Sequence, residues 1–98
     1  MVTILSISAH GDIRRIMNRL VNQQDNWQGQ AVANPTEAKA LLSEEKFDLI
    51  LIGVGVSAEA ENQLNEFCNQ LAHQPKLVRH YGGGSGLLYS EVLLAMAA

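Results

Sequence analysis

The chain has 98 residues, a formal net charge of −3 and 47% hydrophobic residues, the size and composition of one globular domain. Its seven Lys and Arg residues are too few for the basic face of a nucleic-acid-binding protein, so we expect no nucleic-acid partner. The lone cysteine, Cys68, excludes an internal disulfide and a cysteine-based zinc site. No leader and no run long enough for a membrane span are recognised, so we expect a single cytoplasmic domain over residues 1–98 that makes no membrane contact.

The first third of the chain predicts a strand, a helix and a second strand. Residues 2–7 are largely β-branched and apolar and predict strand one. A helix is predicted over about residues 12–23, with a buried stripe formed by Ile13, Ile16, Met17, Leu20 and Val21. Its opposite, solvated face carries Arg14, Arg15 and Arg19. Residues 27–33 predict the second strand.

The middle of the chain contains the clearest signals. Asn34, Pro35 and Glu37 form a strong helix start, since Asn34 can cap and Glu37 can complete a capping box. Residues 49–52, Leu-Ile-Leu-Ile, then form an unbroken apolar run between Asp48 and Gly53. A strand without polar alternation is covered on both faces, which indicates a parallel sheet between two helix layers.

The last third repeats the pattern. Ser57 is a predicted cap for a helix over residues 57–72, and residues 76–81 predict a fourth strand whose polar residues suit a sheet edge. A glycine-rich turn, residues 82–86, leads to a last helix from residue 87. Four β–α units with right-handed crossovers predict a three-layer α/β/α fold with four parallel strands in the order 2-1-3-4.

Residues 31–42, followed by residues 47–52, resemble the second strand, second helix and third strand of response-regulator receiver domains. The resemblance implies a flavodoxin-like fold and a role in signalling. A receiver carries its phosphoacceptor aspartate where this chain has Gly53, and an acidic pair where this chain has Ser8 to Asp12. The fifth strand of a receiver domain has no counterpart in this sequence. The chain therefore resembles a shortened pseudo-receiver, a non-catalytic signalling or protein-interaction module and not an enzyme.

A hypothetical anion site is predicted where the connections of the sheet change direction, beyond strands one and three. Glycines that follow a strand and precede a helix can direct backbone N–H groups at an anion. The candidate ligand-binding residues are His10, Gly11, Asp12, Gly53, Gly83, Gly84, Ser85 and Gly86. His10 also resembles the phosphorylated residue of IIB-type phosphocarrier domains in position. The alternative function is thus a phosphoryl carrier or a protein that binds small anions or nucleotides; neither a metal nor a cofactor is expected.

The last helix has almost no polar face, and the fourth strand beside it is expected to form an open edge. Both features favour self-association on one side of the molecule. We expect a homodimer formed through the fourth strand and the last helix. The candidate interface residues are Leu88, Val92, Leu93, Leu94 and Met96.

Overall fold

A computed structural model describes residues 2–80 and 85–97 of the chain. The elements alternate as predicted: β1 Val2–Ile7, α1 Gly11–Asn22, β2 Trp27–Val32, α2 Pro35–Glu44, β3 Leu49–Ile52, α3 Ala58–Asn69, β4 Lys76–Arg79 and α4 Ser85–Ala97. All strand pairs are parallel, and the order is β2-β1-β3-β4. The predicted three-layer fold and strand order are confirmed.

The two faces of β3 are buried under different helices. Ile50 and Ile52 pack with residues of α2 and α3, whereas Leu49 and Leu51 pack with residues of α1 and α4. This division follows from the two-residue period of a strand, which sends successive side chains to opposite faces. All four are fully buried, and each such side chain contributes roughly 1.5–3 kcal/mol of hydrophobic stabilisation.

Local hydrogen bonds set the helix starts that the sequence indicated. Asn34 Oδ1 accepts a hydrogen bond from Glu37 N at 2.9 Å, and Ser57 Oγ accepts one from Ala60 N at 3.1 Å. The predicted capping box is shifted by one residue, because Glu37 Oε1 accepts from Ala33 N at 2.8 Å. The carboxylate thereby binds the end of β2 to the start of α2.

Two features differ from the predicted elements. The last helix begins at Ser85, so Ser85 and Gly86 lie in its first turn and not in a preceding loop. Ile16, assigned to the buried stripe of α1, is 39% exposed, because it lies beside the sheet-facing residues Met17 and Val21 and not among them. No helix among residues 2–80 and 85–97 is long and apolar enough to cross a membrane.

Candidate functional site

The site predicted from topology lies beyond the carboxyl ends of β1 and β3, which are neighbours in the sheet. Their last registered pair is Ile7 and Ile52. Chain connections leave these two strands in opposite directions across the sheet, toward β2 and toward β4. In open parallel sheets such a point forms the crevice where ligands bind.

Backbone and side-chain hydrogen bonds join the two strand ends across this crevice. Gly53 N donates to Ile7 O at 2.7 Å, and Ala9 N donates to Val54 O at 3.0 Å. The hydroxyl of Ser8, a fully buried residue, also donates to Val54 O at 3.0 Å. The loop after β3 is therefore hydrogen-bonded to the loop after β1.

Gly53, the first residue after β3, has no space for a side chain. A Cβ atom there would lie 2.9 Å from Ile7 O and 2.9 Å from Met17 Sδ, closer than real Cβ contacts. Met17 is 1% exposed and cannot swing into solvent without leaving the core. The Met17 sulfur on α1 and the Ile7 carbonyl oxygen on β1 thus occupy the volume that a side chain at position 53 would need.

Gly55 lies where the backbones of the two loops approach each other closely. Its φ of +91° lies in the left-handed region that residues with a Cβ rarely adopt. A Cβ at this position would also overlap the Cβ of Ala9. Glycine at position 55 therefore lets the β3–α3 loop lie directly against the β1–α1 loop.

The structure places the candidate anion-site residues at different depths. Gly53 is buried, whereas His10 and Asp12 are exposed at the start of α1. Asp12 forms an ion pair with Arg15 in which both side chains are more than 70% exposed, so it contributes little to stability. Gly83 and Gly84 lie outside the described residues, and Ser85 and Gly86 belong to α4. The anion site stays a prediction.

Two residues near the crevice have roles that sequence patterns did not indicate. Ser8 is buried, and its hydroxyl also accepts a hydrogen bond from His10 N at 3.3 Å. Arg14, assigned to the solvated face of α1, turns back and donates from Nη1 to Ser8 O at 2.9 Å. The only available signal was a small polar residue directly after an apolar strand, and helical periodicity does not report where a long side chain folds back.

An open depression on the surface of α1 is lined by Asp12, Arg15, Ile16 and Arg19. Among residues 2–80 and 85–97, no group of three or more His, Cys, Asp and Glu side chains lies close enough together to hold a metal ion.

Cys68 lies in the core, and burial raises the pKa of its thiol. A protonated, buried thiol is a poor nucleophile.

The polar residues of β4, together with His80 directly after it, bind helices on the two faces of the sheet. Lys76 Nζ donates to Ala95 O at 2.7 Å, and His80 Nδ1 contacts the carboxylate of Glu91, so both connect β4 to α4. Arg79 Nε donates to the Glu61 carboxylate of α3 at 2.7 Å. The polarity that indicated an edge strand therefore serves contacts within the protein as well.

The predicted interface residues of α4 divide into two groups. Leu88 and Val92 are at most 1% exposed and pack on the sheet, so they belong to the core and are not available to a partner. Leu93, Leu94 and Met96 are 46%, 74% and 37% exposed. The helix therefore does have an inner and an outer face, but both are apolar.

No family model matches the chain, and a search of curated proteins finds no match. The fold is similar to the solved structure of the chemotaxis response regulator CheY4 of Vibrio cholerae, with a TM-score of 0.64. The match covers 97% of this chain and 98% of that chain at 13% sequence identity. At this identity the likeness shows the fold alone, which is flavodoxin-like and receiver-like.

Proposed function

We propose that this protein is a pseudo-receiver, a non-catalytic module that transmits signals by protein–protein interaction. The filled side-chain volume at Gly53 carries the proposal. A receiver-type phosphorylation site requires a carboxylate at the end of β3 and room for a phosphoryl group. Here that position is a glycine whose Cβ direction is filled by Ile7 O and Met17 Sδ. The structural likeness to a chemotaxis response regulator supports a signalling role.

The groups around the crevice offer no substitute for the missing carboxylate. Glycine has no nucleophile to accept a phosphoryl group. The hydroxyl of Ser8 is buried and donates a hydrogen bond to Val54 O, so the fold fixes its position. Asp12, the acidic residue at the start of α1, points to solvent and pairs with Arg15.

The proposal is tested with acetyl phosphate and Mg²⁺, followed by intact-mass measurement, beside a phosphorylatable receiver as the positive control. We expect no phosphoryl group on the aspartates or glutamates of this protein. An acyl phosphate found on any carboxylate would overturn the pseudo-receiver assignment.

A Gly53→Asp variant sharpens this test. Because the new side chain would be forced against Ile7 O and Met17 Sδ, we expect a stability loss of about 3 kcal/mol and no gain of phosphorylation. Urea unfolding measures the first effect and intact mass the second. A stable Gly53→Asp variant that becomes phosphorylated would show that Ile7 and Met17 move aside readily.

The alternative function, a phosphoryl carrier, is favoured by one observation. His10 is exposed at the start of α1, and its imidazole makes no hydrogen bond with the described residues. A phosphocarrier donor should then place an acid-labile phosphoryl group on His10, and His10→Asn should abolish it. Absence of label on the unaltered protein would eliminate this alternative.

We further propose that the module self-associates through β4 and α4. The exposed apolar residues of α4 and the position of β4 at the sheet edge support this proposal. Sedimentation equilibrium of the unaltered protein is the test. We expect dimers, and a monomer at all concentrations would refute self-association without affecting the pseudo-receiver assignment.

A further inference from the structure

The outer edge of β4 carries backbone groups that are directed away from the sheet. Lys76 N donates to Asp48 O at 3.1 Å and His80 N donates to Ile52 O at 2.9 Å. In a parallel ladder alternate residues face the same neighbour, so Leu77 and Arg79 direct their N–H and C=O groups outward. No strand of the described chain lies on that side of β4.

These outward groups are complementary to a second copy of the same strand. If two β4 strands run antiparallel about a two-fold axis at Val78, Leu77 of each copy lies opposite Arg79 of the other. Each such pair exchanges two hydrogen bonds, so the two pairs form four. This register uses every outward N–H and C=O of Leu77 and Arg79, and Val78 lies opposite its own copy.

Helix α4 presents an exposed apolar residue near the same axis. Glu91 contacts His80 and Ala95 O accepts from Lys76, so the part of α4 between them is level with Val78. Leu94 lies in that part, three positions after Glu91 and therefore on the side of the helix that faces the β4 edge. It is 74% exposed, the highest value among the large apolar residues described.

The spacing of the sheet suits contact between the two helices. Leu88 and Val92 of α4 share a core cluster with Leu49 and Leu51 of β3, and Val78 of β4 packs against that cluster, so we place the helix axis between the two strands. Two copies joined at β4 would place their α4 axes about two strand spacings apart, or about 10 Å. That is the distance at which helices pack side by side.

We propose that two copies of this chain pair their β4 strands antiparallel about Val78, which extends the sheet to eight strands and brings each Leu94 against its counterpart. This inference rests on the proposed self-association and names its geometry. The pairing of the two β4 strands fixes the relative direction and register of the two copies. The apolar contact between the two α4 helices excludes water from the face of the sheet over the paired strands. The partner is thus a second copy of this chain.

The first experiment compares Leu77→Pro with Leu77→Ala by sedimentation equilibrium. Both substitutions remove the leucine side chain, but only proline also removes the outward N–H. Proline is tolerated at an edge position whose N–H faces away from the sheet. We expect Leu77→Pro to dimerise about tenfold more weakly than Leu77→Ala, or worse, because each dimer loses two hydrogen bonds.

The second experiment measures disulfide cross-linking and does not depend on the proline variant folding. At a non-hydrogen-bonded antiparallel pair the two Cα atoms lie about 4.5 Å apart, within reach of a disulfide. Val78→Cys should therefore form a cross-linked dimer on oxidation. Leu77→Cys is the matched control, since it lies about 7–8 Å diagonally from its own copy and should cross-link much less. The buried thiol of Cys68 should not compete.

The outcomes separate the strand geometry from self-association itself. Weaker dimers of Leu77→Pro, together with preferential cross-linking of Val78→Cys, support the proposal. If Leu77→Pro dimerises as tightly as Leu77→Ala, or if the two cysteine variants cross-link equally, strand pairing is overturned. Self-association itself still stands in that case. A monomeric unaltered protein overturns both.

Discussion

The two edges of the sheet differ in how their outward backbone groups are satisfied. At the β2 edge the side chain of Asn22 acts as a substitute strand: its Oδ1 accepts from Gly29 N at 2.9 Å and its Nδ2 donates to Gly29 O at 3.3 Å. Trp27 N, at the start of the same strand, donates to Gln24 O at 3.2 Å. At the β4 edge, no described residue takes a comparable position beside Leu77 and Arg79.

This difference indicates which side of the molecule is available to a partner. Unpaired edges invite pairing with other chains, and proteins block them where pairing is harmful. Here the six-residue edge strand β2 is blocked in the middle by the Asn22 side chain of α1, whereas the four-residue β4 is connected to α4, whose Leu94 is exposed. Because β2 is blocked and no described residue covers the β4 edge, the two edges favour the proposed association on one side only, which limits growth beyond a dimer.

The largest expected effect comes from placing a charge on α4 at the β4 side. Leu94→Glu would bring two carboxylates together at the proposed axis and remove the leucine contact, so we expect dimerisation to weaken by about 3 kcal/mol or more. Leu93→Glu is the matched control, because Leu93 is exposed on the side of α4 where Tyr89 stacks on Trp27. Sedimentation equilibrium distinguishes them; equal weakening by both would refute a sided interface.

A Cβ on the β2 edge tests how tightly that edge is held by α1. In Gly29→Ala the added carbon would lie 2.6 Å from Val21 Cγ1 and 3.2 Å from Val21 Cβ, and Val21 is fully buried. We expect a stability loss of about 2 kcal/mol in urea unfolding, since α1 must move off the sheet. An unchanged midpoint would mean that α1 is less firmly packed on β2 than its burial indicates.

Removing the Asn22 side chain opens the β2 edge. Asn22→Ala loses both hydrogen bonds to Gly29, so we expect a loss of about 1 kcal/mol and species larger than a dimer in sedimentation. Asn22→Asp keeps the acceptor for Gly29 N but sets a carboxylate oxygen against Gly29 O and Asn18 O in place of the Nδ2 donor, so we expect it to lose at least as much stability as Asn22→Ala. If Asn22→Ala assembles no further than the unaltered protein, the β2 edge is closed by something other than this side chain.

The smallest effect is expected at the ion pair that joins β4 to α3. Glu61→Gln removes the charge opposite Arg79, but the Arg79 Nη2 donor still has Val56 O at 3.0 Å. Both side chains are partly exposed, so the pair is screened and its loss should cost under about 1 kcal/mol in urea unfolding. Dimerisation should not change, because this contact does not involve the outward backbone groups of β4. If Glu61→Gln weakened dimerisation as much as Leu94→Glu does, the Arg79 side chain would have to contribute to the interface.

Local and periodic features of this chain were readable without the structure. The four β–α units, the buried run Leu49–Ile52 and the caps at Asn34 and Ser57 depend on interactions over a few residues, or on which face is apolar. With right-handed crossovers, an apolar third strand then restricts the order to β2-β1-β3-β4. That position 53 carries a glycine was also plain from the chain alone.

Contacts between residues distant in the chain were decided only by the tertiary structure. The sequence could place Gly53 after β3, but the approach of Met17 and Ile7 that fills its side-chain volume depends on how α1 settles on the sheet. Helical periodicity likewise could not separate Leu88 and Val92 from Leu94, because a helix that is apolar all round shows no preferred inner face until it is packed. The residues therefore set the order of the elements, whereas packing filled the side-chain volume at Gly53 and, among the described residues, left the β4 edge uncovered.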